Sequence, residues 1–154
     1  MQRRRKAREA ALQVLYSLDA NGGEADEALR LFWEIFDSSG EPADVVITDK
    51  VKSFTSQLVN GAWRNRQAID DMISNSSEHW SLGRMSRVDR SILRMAIYEL
   101  LYCDDIPPKV SLNEAIDLGK IFGSENSGAF INGILDALYA EMVKQGRITA
   151  EQSP

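Results

Sequence analysis

A chain of 154 residues with 44% hydrophobic and 27% charged side chains is long enough to bury one sizeable core and suits a single domain. Cys103 is the only cysteine, which excludes an intramolecular disulfide, and no run of about 18 apolar residues offers a membrane span. The net charge of −5 is unevenly spread: Arg3, Arg4, Arg5, Lys6 and Arg8 put +5 on the first eight residues, and residues 9–154 hold 13 basic against 23 acidic side chains, a net −10.

Apolar spacing of three and four predicts a helix over about Arg3 to Ala20, with Ala7, Ala11, Val14 (or Leu15) and Leu18 inward. Arg5, Glu9, Gln13 and Tyr16 fall on another face, so the basic cluster belongs to a helix and not to a long tail. Such a cluster suits nucleic acid, and it equally suits a terminus whose charges only keep the chain soluble. No apolar stretch follows it as in a secretory signal, so the expected location is the cytoplasm. Asn21-Gly22-Gly23 ends this helix.

A second helix is expected from about Glu24 to Asp37, with Ala28, Leu31, Phe32, Ile35 and Phe36 inward, followed by a loop at Ser38–Pro42. A third runs from Thr48, its expected cap, to Asn60, on the apolar side chains of Val51, Phe54, Leu58 and Val59. Gly61 reads as a break or bend before a fourth helix, Trp63 to Ser74, with Ile69, Met72 and Ile73 inward. The irregular stretch 75–85, which holds Trp80 and Leu82, reads as a connector within one domain.

Residues Ser86–Tyr102 form the most apolar segment, in which Val88, Ile92, Leu93, Met95, Ala96, Ile97, Leu100 and Leu101 cover most of the girth. Such a helix is buried by neighbours on several sides. Ser86 suits its N-cap, with Asp89 in the first turn near the positive end of the dipole. Arg87, Arg90 (or Ser91), Arg94 and Tyr98 form one polar ridge, most of which reads as a solvated, salt-bridged face.

Asp104-Asp105-Ile106-Pro107-Pro108 predicts a turn. Ser111-Leu112-Asn113-Glu114 then matches a capping box for a helix to about Phe122, with Leu112, Ala115 (or Ile116), Gly119 and Phe122 inward and Gly119 admitting a close neighbour. Gly123 stops it. The last helix, about Glu125 to Lys144 with Ser124 as cap, turns Phe130, Ile131, Ile134, Leu135 and Leu138 inward. The fold class is therefore all-α, one domain of about seven helices over residues 1–145, in halves 1–76 and 84–145, with 146–154 a flexible tail.

Chemistry is tested by elimination. A di-iron bundle needs paired Glu-x-x-His motifs, and the single histidine, His79, sits in the connector. His79 and Cys103 cannot supply a zinc site. No Ser–His–acid arrangement is suggested, Gly22-Gly23 lacks the Lys-Ser of a phosphate loop, and Asp104-Asp105 beside two prolines reads as a turn. No metal or cofactor is expected, and the chain reads as a binding protein and not an enzyme.

RRRKAREAALQVLYSLD at the start, with VDRSILRMAIYELLY and IPPKVSLNEAIDLGKIFGSENSGAFINGILDAL in the second half, resembles the NusB family of transcription antitermination factors. The resemblance covers residues 3–20 and 85–138; residues 24–80 match only as a pattern of helices. It implies two perpendicular three-helix bundles in one domain. It further implies binding of boxA RNA in nascent ribosomal RNA leaders together with a small-subunit ribosomal protein, NusE, in a complex that joins RNA polymerase and suppresses termination. Members of the family differ in oligomeric state, and in some a homodimer covers the RNA surface.

Residue by residue, the resemblance assigns RNA contact to Arg3, Arg4, Arg5, Lys6 and Arg8, whose cations neutralise phosphates and stack on bases. It adds Tyr16 on the same helix, and Lys120, Asn126, Ser127 and Phe130 around the turn into the last helix, where free N–H groups suit phosphate. Phe130 reads equally as a core contact. Glu125 is a departure, an acid beside RNA that is expected to point away. Asp89 and Glu114 match positions facing the ribosomal partner, and both also read as capping residues. Two rivals remain: a helical protein–protein adaptor, and a stand-alone relative of the RNA-binding domain of a ribosomal RNA cytosine methyltransferase, which would need a following catalytic domain with its own cysteines.

Overall fold

The computed structural model describes residues 2–38, 47–76 and 82–148. The loop expected after Ser38, the connector residues His79 and Trp80, and the tail beyond Ile148 lie outside the described residues. Among those described, the chain forms seven α-helices and no strand: α1 (Gln2–Asn21), α2 (Ala25–Ser38), α3 (Asp49–Arg64), α4 (Arg66–Ser76), α5 (Arg87–Tyr102), α6 (Pro108–Phe122) and α7 (Ser127–Lys144), with one 3-10 turn at Leu82–Arg84.

The helix α5 is the axis of the fold. It packs against α1, α3, α4, α6 and α7, and Ile92, Leu93, Met95, Ala96 and Ile97 are completely or almost completely buried. Each of the four larger side chains contributes about 1.5–3 kcal/mol by leaving water, and Ala96 less. Ser86 caps it as expected: its Oγ accepts from the Asp89 N–H at 3.1 Å. The N-terminal group α1–α3 and the C-terminal group α5–α7 each pack internally, and α4 bridges to α5 and α7.

The α1 face formed by Ala7, Ala11, Val14, Leu15 and Leu18 is buried as its periodicity requires. Its end falls where two glycines permit left-handed backbone, Gly22 at φ 72° and Gly23 at φ 110°. Thr48 caps α3, accepting from the Val51 N–H at 3.3 Å.

Several expectations are corrected. Gly61 does not break α3, which runs on to Arg64. A Cβ at Gly61 would lie 2.0 Å from Tyr98 Cε1, so this glycine lets α3 approach the ring on α5, and the real break is at Asn65. In α2 the buried side chain is Leu29; Leu31 is exposed, and Ile35 is 64% exposed, because among the described elements α2 leans mainly on α1 and α3. The ridge on α5 is salt-bridged, and it is solvated only at its start, where Arg87 is exposed. Arg94 and Tyr98 are buried. Asp19 accepts from Arg90 Nε at 3.1 Å and from Arg94 Nη1 at 2.9 Å, and Arg94 also holds both oxygens of Asp70 at 2.8 and 2.9 Å.

The capping box at Ser111 is also overturned. Pro107 is the N-cap of α6 and Pro108 its N1, so the helix starts four residues earlier. Ser111 is therefore inside the helix and buried, and its hydroxyl donates to Glu99 Oε1 at 3.0 Å. Ser111, Ala115, Leu118 and Gly119 form the buried side of α6, while Phe122 is 44% exposed. Gly119 does admit a neighbour: a Cβ there would lie 2.7 Å from Ile131 Cδ1 on α7. Past α7, Arg147 N–H donates to the Met142 carbonyl at 2.9 Å and Ile148 packs on the core.

Candidate nucleic-acid interface

The first two turns of α1 divide their cations between the inside and the outside. Arg8 is the correction here. It is 2% exposed, and its Nε and Nη2 donate to the two carboxylate oxygens of Glu99 at 2.9 and 2.8 Å. A fork-to-fork pair of this kind is among the strongest hydrogen-bonded arrangements, and it holds Arg8 away from any phosphate. Arg5 is half spent in the same way. Its Nε donates to Glu114 at 2.9 Å and its Nη2 to Asp117 at 2.8 Å. The Glu114 hydrogen bond is the main reason the Arg5 guanidinium is held above its ordinary pKa. Glu114 is thus neither a capping residue nor an unpaired acid, but the clasp between α1 and α6.

The outward cations are Arg3, Arg4 and Lys6. No carboxylate lies within ion-pair distance of Arg3 among the described residues. Arg4 donates to Asp105 at 2.9 Å and stands over the Phe54 ring with 4.8 Å to its centroid. Lys6 reaches Glu9 only at 3.9 Å.

Further along α1, Tyr16 is 42% exposed. It lines a groove of about 330 Å³ with Glu9, Leu12, Gln13, Val88 and Phe122. The fold therefore brings Tyr16 to the C-terminal end of α6, where an exposed phenylalanine stands beside it. Sequence reasoning assigned Phe122 to the core because its spacing continues the inward stripe; nothing in the pattern shows that the last turn runs past that core.

At the α6–α7 turn, Lys120 is exposed and its stem crosses Gly128, where a Cβ would lie 2.9 Å from Lys120 Cγ. Asn126 is exposed at the N-cap of α7 and makes no side-chain capping bond. Ser124 is not the cap, and Ser127 is not free for a ligand. Ser127 is buried and its Oγ accepts from the Ser124 N–H at 2.9 Å, closing the turn. Gly123 permits this, since a Cβ there would fall 2.3 Å from Ser127 Oγ. Phe130 is half-buried against the core, which favours the core reading of its ring.

Asp89 is 8% exposed, and its Oδ1 has no hydrogen-bond partner among the described residues. A buried carboxylate oxygen left unpaired costs free energy, unlike Glu114, which is satisfied by Arg5.

These features define a class: a helical protein with a cationic helix end flanked by exposed aromatic side chains. The NusB family model matches residues 5–140. The transcription antitermination protein NusB of Syntrophus aciditrophicus (strain SB) is 56% identical over 145 residues, covering 94% of this chain and 84% of that protein. The protein of the same name from Geobacter sulfurreducens is 50% identical over 143 residues, covering 93% and 98%. Among solved structures, T. maritima NusB superposes with a TM-score of 0.78 at 38% identity, covering 94% of this chain and 95% of that one. A chain in the crystal structure of antitermination factors NusB and NusE in complex with dsRNA matches with a TM-score of 0.76 at 28% identity, covering 92% and 98%. The chain belongs to the NusB family.

Proposed function

We propose that this protein is a transcription antitermination factor. It binds boxA RNA of nascent ribosomal transcripts together with the ribosomal protein NusE, and the complex joins RNA polymerase and suppresses termination. It acts in the cytoplasm by binding and not by catalysis. The observation that carries the reading is the division of charge on α1. Arg5 and Arg8 are committed to carboxylates of the fold, while Arg3, Arg4 and Lys6 remain outward, on a chain whose relatives carry that name.

Outward cations neutralise phosphates, and exposed rings such as Tyr16 stack on unpaired bases. Lys120 and Asn126 extend the surface at the α6–α7 turn, and a neutral amide at Asn126 adds no repulsion there. Four cations, Arg3, Arg4, Lys6 and Lys120, correspond to a salt slope of about −3 for single-stranded RNA, at about −0.7 per neutralised phosphate. The basic ribosomal partner suits the acidic body. Asp89 and Glu114 are the positions we assign to it; Glu114 is already engaged by Arg5, and Asp89 Oδ1 is sealed from solvent without a partner among the described residues. The test is binding of the purified chain to a short boxA RNA and a scrambled control, each with and without the ribosomal partner. Preference for boxA, strengthened by the partner, is expected; equal binding to both RNAs under all conditions would leave only an electrostatic arm on a helical adaptor.

A further inference from the structure

A separate groove, this one cationic, lies between the start of α1 and the first turns of α3. About 440 Å³ in volume, it is bounded by Arg3 and Arg4 of α1 and by Lys50, Ser53 and Phe54 of α3. Among the described residues three of its lining side chains are cations and none is an acid, although residues 9–154 carry a net −10. Among the described residues no carboxylate is within ion-pair distance of Arg3 or Lys50. Lys50 and Ser53 are exposed. Phe54 forms the floor, with the guanidinium groups of Arg4 and Arg8 at 4.8 and 5.6 Å from its ring centre. Asp105 engages Arg4 only through Nη2, and an arginine has five N–H donors.

We infer that this groove is a phosphate subsite for single-stranded RNA, and that the RNA path crosses from α1 onto the first turns of α3, with Lys50 and Ser53 as contacts. The chemistry fits one class of ligand. Clustered cations, of which Arg4 alone meets a described carboxylate, attract a polyanion, the Ser53 hydroxyl adds a donor for a phosphate oxygen, and the ring on the floor holds Arg4 upright while offering its edge to a sugar or base. Lys50 has no partner among the described residues, so its charge is available to the ligand. The inference rests on the RNA-binding reading above and adds α3 to it.

The experiment compares wild type, Lys50→Ala, Ser53→Glu and the control Lys144→Ala, a cation in the last turn of α7. Affinity for the boxA RNA is measured across 50–200 mM salt, and binding of the ribosomal partner is measured separately. All three positions are exposed, so helical circular dichroism and melting temperature stay at wild-type values. Lys50→Ala is expected to weaken RNA binding about fivefold at low salt and to reduce the salt slope by about one. Ser53→Glu is expected to weaken it further, and Lys144→Ala to leave it unchanged. A Lys50→Ala affinity and slope equal to those of Lys144→Ala, with wild type still preferring boxA, would overturn the subsite alone. A loss confined to binding of the ribosomal partner would overturn it too. Absence of RNA binding by wild type would overturn the subsite and the proposed function together.

Discussion

The guanidinium of Arg8 meets the carboxylate of Glu99, 91 residues away, through two hydrogen bonds of 2.8 and 2.9 Å in a site almost sealed from water. The arm that looks like an RNA-binding segment is thereby also a structural pin between α1 and α5. Removing one partner strands the other charge in the core. Arg8→Ala is expected to cost about 3–5 kcal/mol of stability, measured by urea denaturation. The pair replacement Arg8→Met with Glu99→Leu is expected to recover most of that loss, since two apolar side chains need no partner; Ser111 then loses its acceptor at Glu99. Recovery would fail to appear if the pair were merely a surface contact.

Gly61 supplies a second test. A methyl group there would overlap the Tyr98 ring at 2.0 Å, inside a helix where alanine is otherwise favoured by about 1 kcal/mol. Gly61→Ala is expected to destabilise by about 1–3 kcal/mol, and Tyr98→Leu in the same chain is expected to relieve part of it. A stabilised Gly61→Ala chain would show that the close approach of α3 to α5 is wrong.

Asp19 is the hub of the polar ridge. Burial alone pushes its carboxyl up, but hydrogen bonds from Arg90 and Arg94, with their charges, outweigh that and hold it below the usual carboxylate range. A folded value below the unfolded one means that the contribution to stability is full above about pH 4 and is lost as pH falls through the folded value. Asp19→Ala is expected to cost about 3 kcal/mol at neutral pH. It is also expected to show a shallower acid loss below pH 4 than wild type, measured by thermal melts from pH 2 to 7.

Cys103 is buried at the end of α5. Burial, with Glu99 and Asp105 nearby, pushes its thiol up to about 11. At pH 8 only on the order of one thiol in a thousand is the reactive thiolate. A thiol-reactive dye is expected to label the folded chain slowly and the urea-unfolded chain at once. Rapid labelling of the folded chain would place Cys103 at the surface.

The elements most legible in the sequence were those set by local pattern. The apolar girth of α5 announced its central place, and Ser86 and Thr48 announced their caps, because each signal lies within one turn of its effect. What stayed hidden depended on distant partners. Gly61 carries the same letter whether it breaks a helix or admits a ring, and only Tyr98 decides between them. Ser111 to Glu114 matched a capping box, yet Pro108 had already begun the helix and Glu99 and Arg5 claimed the two side chains. The Arg90–Arg94 ridge looked solvated because Asp19 and Asp70 lie 24–75 residues away. At the candidate interface, the basic run was plain in the sequence, but its division into inward Arg8 and outward Arg3 was not. Lys50 carried no signal at all, and Phe54 read only as part of the apolar side of α3, since nothing local ties α3 to the start of α1.

The most direct test of the account separates the two faces of α1. Binding of boxA and scrambled RNA is measured for wild type and for Arg3→Ala/Arg4→Ala, alongside the melting temperature of each and of Arg8→Ala. The account predicts that Arg3→Ala/Arg4→Ala loses about tenfold or more in boxA affinity, with a salt slope smaller by one to two, and melts as wild type does, while Arg8→Ala melts well below it. Unchanged boxA affinity in a folded Arg3→Ala/Arg4→Ala chain would contradict it.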